Sequence, residues 1–359
     1  MTDPASYQPI RQLGAGGMAE VWLARQYRAE GIQRLVVIKR MLPPLASDRD
    51  AALAFLDEAR LMASLSHPSI VTLLDLVVVD GAYAMVLEHV DGEDLASIVD
   101  RQGALPMGAA LAIGLAVAEA LAYAHALCDE LGDPLGVIHR DVNPTNVLIG
   151  RNGAVKLIDF GIAAAETHEH RSRTGVLKGT FGYMAPEQLT GARDLDARAD
   201  VFGFGALLYE ALTGAAPFET AKDIDAARAS SQRAPAPVRE RRAEVSERLA
   251  ELVERCLAPD RERRPRDGGE LMSALSEALG DARAWTMSEL SAWMRGHAPP
   301  EPAEPSMTDL ASVRFTPARE RVVAAPTRPS RAALQIAALT LLGGAVGAIA
   351  YWLGRLLAS

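Results

Sequence analysis

The sequence is poor in cysteine and in lysine. Its 359 residues include two cysteines, Cys128 and Cys256, which are far apart and each lie in an apolar, helix-like stretch. This spacing excludes a disulfide framework and a cysteine metal site, and it fits a reducing cytosol. Of the 37 basic residues, only those at positions 39, 156, 178 and 222 are lysines. Because lysine is so rare, each lysine is a candidate for a specific role.

A surplus of positive charge is also absent. The formal net charge is −9, and an acidic chain does not present the basic surface that binds nucleic acid. We therefore expect no nucleic-acid partner. The first ten residues, MTDPASYQPI, contain neither an apolar core nor a basic run, so we expect no signal peptide or anchor there.

The hydrophobic pattern predicts an α+β protein with two lobes. Between residues 7 and about 90, short β-rich runs such as LVVI and AMVL surround one helical stretch near residues 50–65. From about 91 to 280 the pattern is mostly helical, and the apolar run at 108–128 is expected to be buried. Residues 281–297 are amphipathic and predict a helical extension packed on this domain.

The C-terminal part has a different composition. Residues 298–331 are rich in Pro, Ala and Arg and predict a disordered linker. Residues 332–354 are apolar apart from Gln335 and predict a transmembrane helix. Arginines cluster before this segment, which predicts a single-pass anchor with the preceding domain in the cytoplasm. Gly343 and Gly347 form a G-x-x-x-G pattern, which allows close helix packing in a homodimer.

A glycine-rich stretch near the N-terminus is a candidate phosphate-binding loop. LGAGGMAEV, residues 13–21, places Gly14, Gly16 and Gly17 between two strand-like segments. Bare backbone at these positions can approach phosphate oxygens closely. A plain hairpin turn explains the glycines equally well, so this stretch alone does not decide between the two.

Two charged residues follow in apolar surroundings. Strand alternation places Lys39 on one face with Leu35 and Val37. Four residues share one face of the predicted helix: Ala54, Glu58, Leu61 and Leu65. An unpaired charge in such a place costs about 3–5 kcal/mol. We therefore predict that Lys39 and Glu58 form an ion pair, although either charge alone could extend to solvent at a rim.

Two further motifs carry oxygen ligands and a candidate base. Residues 139–146 read HRDVNPTN, and the β-rich run VKLID ends in Asp159, followed by Phe160 and Gly161. Asn146 and Asp159 are hard-oxygen donors of the kind that Mg²⁺ binds beside nucleotide phosphates. Asp141 is left to accept a hydroxyl proton.

These motifs, with A-P-E at 185–187, resemble in order and spacing the eukaryotic-type protein kinase superfamily, and in particular bacterial membrane-anchored serine/threonine protein kinases. The resemblance spans about residues 7–279. It implies a bilobal kinase fold, with a small β-rich N-lobe containing one helix (7–90) and a larger, mostly helical C-lobe (91–280). It also implies phosphoryl transfer from ATP to protein Ser or Thr, autophosphorylation, and signalling at a bacterial inner membrane, with Mg²⁺ or alternatively Mn²⁺.

The resemblance also implies roles for individual positions. Lys39, positioned by Glu58, would bind phosphates, and Asp141 would be the catalytic base, while Asn146 and Asp159 would hold the metal. The ATP-binding positions are Leu13, Gly14, Gly16, Gly17, Val21, Lys39, the hinge residues Glu88, His89 and Val90, and Asp94 near the ribose. The structural positions are Glu187, expected to pair with Arg264, and Asp200, expected to brace the catalytic loop. The candidate phosphorylation sites are Ser172, Thr174 and Thr180.

Asn143 departs from the family pattern at a position that takes part in the chemistry. The serine/threonine branch has a lysine here, which neutralises charge on the transferring phosphate, whereas Asn143 can donate only a neutral hydrogen bond. Three interpretations stay open. Asn143 suffices as the catalytic residue at this position, as in small-molecule kinases of similar fold; Lys178 supplies the charge instead; or the enzyme is inactive.

Two other function classes compete with a protein kinase. One is a membrane-tethered pseudokinase scaffold, and the other is a small-molecule phosphotransferase. The lysine, glutamate and metal positions are all intact, which disfavours the scaffold. The G-T-F-G-Y-M-A-P-E stretch at 179–187 resembles the serine/threonine form of a protein-substrate segment and disfavours the small-molecule enzyme.

Overall fold

The computed structural model describes residues 6–28, 31–160, 180–192, 194–218, 224–280 and 282–297. The N-terminal lobe is an antiparallel sheet with strand order β1-β2-β3-β5-β4 and one helix packed against it. Its elements are β1 (Ser6–Ala15), β2 (Ala19–Tyr27), β3 (Gln33–Met41), α1 (Arg49–Ser64), β4 (Leu73–Val79) and β5 (Ala82–Glu88). The predicted small β-rich lobe with one helix is confirmed.

Helix α1 begins after Asp48, whose side chain accepts hydrogen bonds from the backbone N–H groups of Asp50 and Ala51. The buried residues of this helix are Phe55, Leu56, Glu58, Ala59 and Met62. The predicted apolar face was wrong by about one position, since Ala54 and Leu61 are only half-buried. Phe55 lies on the buried face, where an aromatic ring buries a large apolar area. Glu58 lies on the buried face in either arrangement.

The larger lobe is mostly helical, as predicted, and carries a small second sheet with order β6-β7-β8. Its strands are β6 (Gly92–Asp94), β7 (Val147–Gly150) and β8 (Val155–Leu157). Its helices are α2 (Leu95–Gln102), α3 (Met107–His125), α4 (Pro186–Leu189), α5 (Arg198–Thr213), α6 (Ile224–Ser231), α7 (Val238–Arg241), α8 (Glu247–Cys256), α9 (Gly268–Leu279) and α10 (Met287–His297). Together the two lobes have the bilobal arrangement that the resemblance implies.

Helix α3 forms the centre of the larger lobe. Within the described ranges it is the one helix long and apolar enough to cross a membrane by composition. It is nevertheless a core helix, because Leu111, Ile113 and Leu121 are fully buried and it packs against α5 and α9. The predicted burial of this run is confirmed, but the helix ends at His125. Cys128 therefore lies in an exposed loop and not in the helix-like run expected for it.

The extension after α9 packs onto the larger lobe. The backbone N–H of Trp285 donates to the carbonyl of Gly108 at 2.9 Å, which attaches the extension to α3. The hydroxyl of Ser291 on α10 donates to the carbonyl of Arg151 at 2.7 Å, which attaches it to the turn between β7 and β8. The extension thus contacts the strand pair that carries the candidate metal ligands. The predicted linker at 298–331 and the predicted membrane helix at 332–354 lie outside the described residues.

A substitution at Gly153 tests how much the packing of α10 on the β7–β8 turn contributes to stability. Its φ is +84°, and a Cβ atom there would lie 2.0 Å from the carbonyl oxygen of Met287. Gly132 has a φ of +85°, but no described atom lies within 4 Å of its Cβ position. Both Gly→Ala changes strain the backbone by about 1–2 kcal/mol. We expect Gly153→Ala to lose about 1–3 kcal/mol more, because α10 must shift.

The measurement is the free energy of unfolding of the two variants beside the wild-type chain. Gly132→Ala is the matched control, since it carries the same backbone strain without the contact. Equal losses for both variants would contradict the close packing of α10 on the β7–β8 turn.

Candidate active site

Lys39 joins the two lobes through its ammonium group. Its Nζ lies 2.6 Å from Glu58 Oε1 and 2.9 Å from Asp159 Oδ1. The Lys39–Glu58 ion pair that the sequence predicts is therefore present, with Asp159 as a second partner. Burial opposes the charge of Lys39, but the charges of Asp159 and Glu58 outweigh burial and raise the pKa of Lys39. The amine therefore stays protonated at neutral pH.

The glycine-rich turn lies one strand away from this lysine. In the sheet, Val21 on β2 pairs with Gly14 on β1 and with Lys39 on β3. The N–H of Gly16 donates to the carbonyl of Ala19 at 2.8 Å and closes the turn. The turn residues Gly14, Gly16 and Gly17 are exposed, as is Leu13 on β1. The predicted ATP-binding positions of the N-lobe thus lie together beside the charged amine.

The hinge between the lobes contains an ion pair that sequence reasoning did not find. Glu88 Oε1 accepts hydrogen bonds from Thr72 N, from Thr72 Oγ1 and from Lys156 Nζ, the last at 2.6 Å. Lys156 also donates to the carbonyl of Ile70 at 3.2 Å. The rarity of lysine was the signal that marked Lys156 for attention. This pair fixes the strand end that leads into the hinge residues His89 and Val90.

Asp94, predicted to contact a ribose, acts as a helix cap in the structure. Its Oδ1 accepts from Ser97 N at 2.8 Å, and its Oδ2 accepts from Ser97 Oγ at 2.7 Å. These contacts stabilise the N-terminus of α2 directly after the hinge. The ribose contact remains a prediction.

Asp200 on α5 supports the catalytic loop through hydrogen bonds to its backbone. Its carboxylate accepts from the backbone N–H groups of His139 and Arg140, both at 2.7 Å, and from His125 Nε2 at 2.9 Å. Arg140 has a φ of +69°, a conformation that non-glycine residues rarely adopt. The bracing role expected of Asp200 thus corresponds to direct hydrogen bonds that hold this strained residue in place.

The surroundings of Asp200 keep it ionised. Burial alone raises the pKa of this carboxyl group, but the hydrogen bonds that it accepts from the His125 side chain and from the His139 backbone outweigh burial. The net effect is a pKa below the usual range. His125 Nδ1 also accepts from the N–H of Gly268 at 2.9 Å, which leaves Nε2 to donate to Asp200. Sequence reasoning did not identify His125 as a partner of Asp200.

Antiparallel pairing brings the two predicted metal ligands to neighbouring strand ends. Val147 pairs with Leu157, and the N–H of Ile158 donates to the carbonyl of Asn146 at 2.9 Å. Asp159 directly follows and has a φ of +57°. His139 supports this end of the hairpin, since its Nε2 donates to the carbonyl of Ile158 at 3.0 Å.

The donor set of Asn146 and Asp159 fits a Mg²⁺ ion that is shared with phosphates. Asn146 binds Asp141 through Nδ2, and within the described part of the chain no donor is bonded to its Oδ1. The side chain of Asp159 is 43% exposed. Among the described residues, no three His, Cys, Asp or Glu side chains form a metal-binding group of their own. A magnesium ion here would need oxygen ligands from a nucleotide.

Glu187 and Arg264 form a buried bidentate ion pair. The Nη1–Oε1 distance is 2.7 Å and the Nη2–Oε2 distance is 3.1 Å. Arg264 also donates to backbone carbonyls, and its guanidinium lies 4.9 Å from the ring centroid of Phe202. The structural pair that the resemblance implied is therefore present, and it attaches α4 to the segment that follows α8.

Part of the predicted site lies outside the described residues. This applies to Gly161, to the candidate phosphorylation sites Ser172 and Thr174, and to Lys178. Thr180 begins a short 3₁₀ helix that ends at Tyr183. The replacement of the missing catalytic-loop lysine by Lys178 therefore stays a prediction.

Comparison with known proteins gives consistent matches. The family profile described as "Protein kinase domain" matches residues 7–277. The "Tyrosine-protein kinase MasK" of Myxococcus xanthus is 39% identical over 300 residues, covering 81% of this chain and 46% of that protein. The "Serine/threonine-protein kinase PknB" of Mycolicibacterium smegmatis is 35% identical, covering 73% of this chain and 41% of that protein. The chain thus matches less than half the length of these relatives.

The fold comparison agrees with the sequence comparison. The crystal structure of the Mycobacterium tuberculosis PknI kinase domain has a TM-score of 0.56 and 30% sequence identity to this chain. The match covers 76% of this chain and 96% of the PknI kinase domain.

Asp200→Asn tests whether the buried carboxylate holds the catalytic loop. Asparagine would direct an NH₂ group at a backbone N–H, so we expect a loss of about 3 kcal/mol in the free energy of unfolding. The matched control is Asp194→Asn. Asp194 is exposed, and a hydrogen bond from Arg261 lowers its pKa, so solvent screening should leave stability unchanged within error.

The pH dependence has a definite sign. A carboxyl group with a lowered pKa in the folded state stabilises the fold fully above its unfolded pKa, near 3.8, and this stabilisation declines as the pH falls. The difference between wild type and Asp200→Asn should therefore shrink below about pH 4. Equal effects of the two substitutions, or a difference that does not change with pH, would contradict this role.

Proposed function

This chain belongs to the protein kinase family, and from that premise we propose that it is an active kinase that transfers the γ-phosphate of ATP to serine or threonine hydroxyls of proteins. The observation that carries the proposal is the assembly of Lys39, Glu58 and Asp159 beside the glycine-rich turn. In the proposed enzyme, the amine of Lys39 and the glycine-rich turn would bind the phosphates, and the carboxylate of Asp159 would bind the metal.

The proposed mechanism depends on placement and charge. Bound ATP supplies the phosphoryl group, and Mg²⁺ neutralises the charge on its phosphates. Lys39 would hold the α- and β-phosphates, and its position is fixed in advance by Glu58. Asn146 and Asp159 would hold the metal through their side-chain oxygens. Asp141 would orient the acceptor hydroxyl and take its proton.

The intact set of charged groups supports catalysis over a pseudokinase scaffold. A scaffold would not need an amine positioned by a buried acid, or a catalytic loop kept in a strained conformation by Asp200. Strain of this kind persists where the surrounding structure is built to hold it, and it concentrates at active sites.

The acceptor residue has two candidates. Serine or threonine is the first, because the stretch GTFGYMAPE resembles the serine/threonine form of the substrate segment and several relatives carry that name. Tyrosine is the second, because one relative at 39% identity is named a tyrosine-protein kinase. The two differ in the residue that is labelled, so one experiment separates them.

The test is incorporation of radiolabelled phosphate from Mg·ATP by the full chain, followed by phosphoamino-acid analysis. We expect phosphoserine or phosphothreonine in the chain itself and in an added basic protein. Asp141→Asn should lower the rate by about 10²-fold or more, because the base is lost. The exposed Asp194→Asn should leave the rate unchanged. Phosphotyrosine alone would select the second candidate, and ATP binding without labelling would favour the scaffold.

We also propose that residues 332–354 anchor a kinase domain of residues 7–280, with the 281–297 extension and the 298–331 linker, on the cytoplasmic face of a bacterial inner membrane. The apolar length of this segment and the arginines before it support the anchor. The full chain should remain in membranes after alkaline carbonate washing, whereas residues 1–331 should be soluble. A full chain that is extracted by carbonate would contradict the anchor.

A homodimer formed through the anchor would place two kinase domains together for autophosphorylation. Gly343 and Gly347 support this proposal through their G-x-x-x-G spacing. Replacing both with leucine should slow autophosphorylation at low membrane density without releasing the chain from membranes. An unchanged rate at low density would exclude this dimer contact.

A further inference from the structure

The Asp141 side chain is held from both sides by asparagine amides. Asn143 Nδ2 donates to Asp141 Oδ1 at 2.8 Å and to the Asp141 carbonyl at 3.2 Å. Asn146 Nδ2 donates to Asp141 Oδ2 at 3.0 Å and to the same carbonyl at 2.8 Å. The Asp141 N–H in turn donates to His139 Nδ1 at 3.2 Å. Rotation of the carboxylate would break at least one of these bonds.

Asn143 is itself fixed in one orientation by Thr145. Its Oδ1 accepts from the Thr145 N–H at 2.9 Å and from Thr145 Oγ1 at 2.6 Å. The backbone N–H of Thr145 can only donate, so the oxygen of the amide must face it, and the hydroxyl of Thr145 then donates to the same oxygen. The NH₂ group must therefore face Asp141. Asn143 is buried, with 2% of its surface exposed, which limits the access of water to its amide group.

This arrangement leaves Asn143 without a donor for phosphate. A carboxamide has two N–H donors, and both point at Asp141. Asn143 therefore does not stand in for the lysine of the family by contacting the transferring phosphate. The Asp141 carboxylate can still accept further hydrogen bonds. Its two oxygens offer about four lone-pair sites, and each oxygen receives one hydrogen bond from an asparagine side chain.

We propose that Asn143 is a positioning residue that holds the Asp141 carboxylate toward the acceptor hydroxyl, and that Thr145 sets its orientation. This inference rests on the proposed function and gives Asn143 a different role from the catalytic one expected from the sequence. It also identifies Thr145, which sequence reasoning missed. Because Thr145 acts through Asn143, the two should not contribute independently to the rate.

A lysine at position 143 would not reproduce this unit. Lysine has three donors and no acceptor, so it could not accept from the hydroxyl and N–H of Thr145. The pair Asn143 and Thr145 is thus a self-consistent alternative to the lysine, in which the hydroxyl of one residue orients the amide of the other. Asn143→Lys should therefore lower activity and not raise it.

The test uses steady-state kinetics of the full chain with Mg·ATP and a basic protein substrate. Asn143→Ala should lower kcat by about 10²-fold, with KM for ATP changed by less than about twofold, because a misplaced base affects the chemical step and not nucleotide binding. Thr145→Val should lower kcat by about tenfold, and Thr145→Ser should recover most of it because the hydroxyl is kept. Thr190→Val is the matched control, since its exposed hydroxyl bonds to the carbonyl of Glu187 away from the loop.

The double variant Asn143→Ala/Thr145→Val separates this proposal from independent contributions. We expect its kcat to equal that of Asn143→Ala, because removing the amide already removes what Thr145 orients. If the losses in kcat of the two single variants multiplied in the double variant, the proposal would be overturned. A raised KM for ATP with an unchanged kcat in Asn143→Ala would also overturn it, since that result would indicate a phosphate contact.

A second readout does not depend on catalysis. With asparagine labelled by ¹⁵N, the side-chain NH₂ protons of Asn143 should exchange slowly with water in the wild type and at least about tenfold faster in Thr145→Val. Slow exchange in a wild-type chain that shows no phosphoryl transfer would support the orientation and contradict the proposed function. Fast exchange in an active wild type would contradict the orientation and leave the proposed function intact.

Discussion

The catalytic loop depends on one buried carboxylate. Asp200 accepts two backbone N–H groups of the loop and one imidazole N–H, and it therefore links α5, α3 and the His139–Arg140 segment. An ionised acid is stable in this place because its donors replace the water that burial removes. Without it, the backbone N–H groups of His139 and Arg140 would lose their acceptor, and we expect Arg140 to relax from its positive φ. Asp141, Asn143 and Asn146 all follow within six residues, so their positions depend on this support.

Two lysines connect the lobes of a chain whose basic residues are mostly arginines. Lys39 contacts an acid from each lobe, and Lys156 of the larger lobe contacts Glu88 at the end of β5. In both places one nitrogen serves more than one acceptor at close range. A compact ammonium group with three donors does this, whereas a planar guanidinium needs space beside its fork. The local geometry therefore explains why these two lysines are present despite the arginine bias.

At position 143, where the family has a lysine, the structure shows a local network of hydrogen bonds from neutral groups. Asn143 and Asn146 hold the half-buried Asp141 through hydrogen bonds from their neutral amides, and Thr145 orients the amide of Asn143. Neutral donors cannot stabilise negative charge on a transferring phosphate as well as an ammonium group can. In the proposed kinase, Lys39 and the metal would stabilise the negative charge on the transferring phosphate. The catalytic loop would contribute the precise placement of the base.

The sequence by itself determined the two lobes, the family motifs and the ion pairs Lys39–Glu58 and Glu187–Arg264. It could do so because strand and helix periodicity place a charge in apolar surroundings, and the motifs recur in a fixed order. It misplaced the buried face of α1 by one position, since neighbouring apolar residues satisfy the same period and packing chooses between them. Only the tertiary structure decided that Lys156 pairs with Glu88, that His125 binds Asp200, and that Thr145 orients the Asn143 amide. The first two contacts join residues 68 and 75 positions apart, and the third depends on the direction of an amide, which no local sequence pattern encodes.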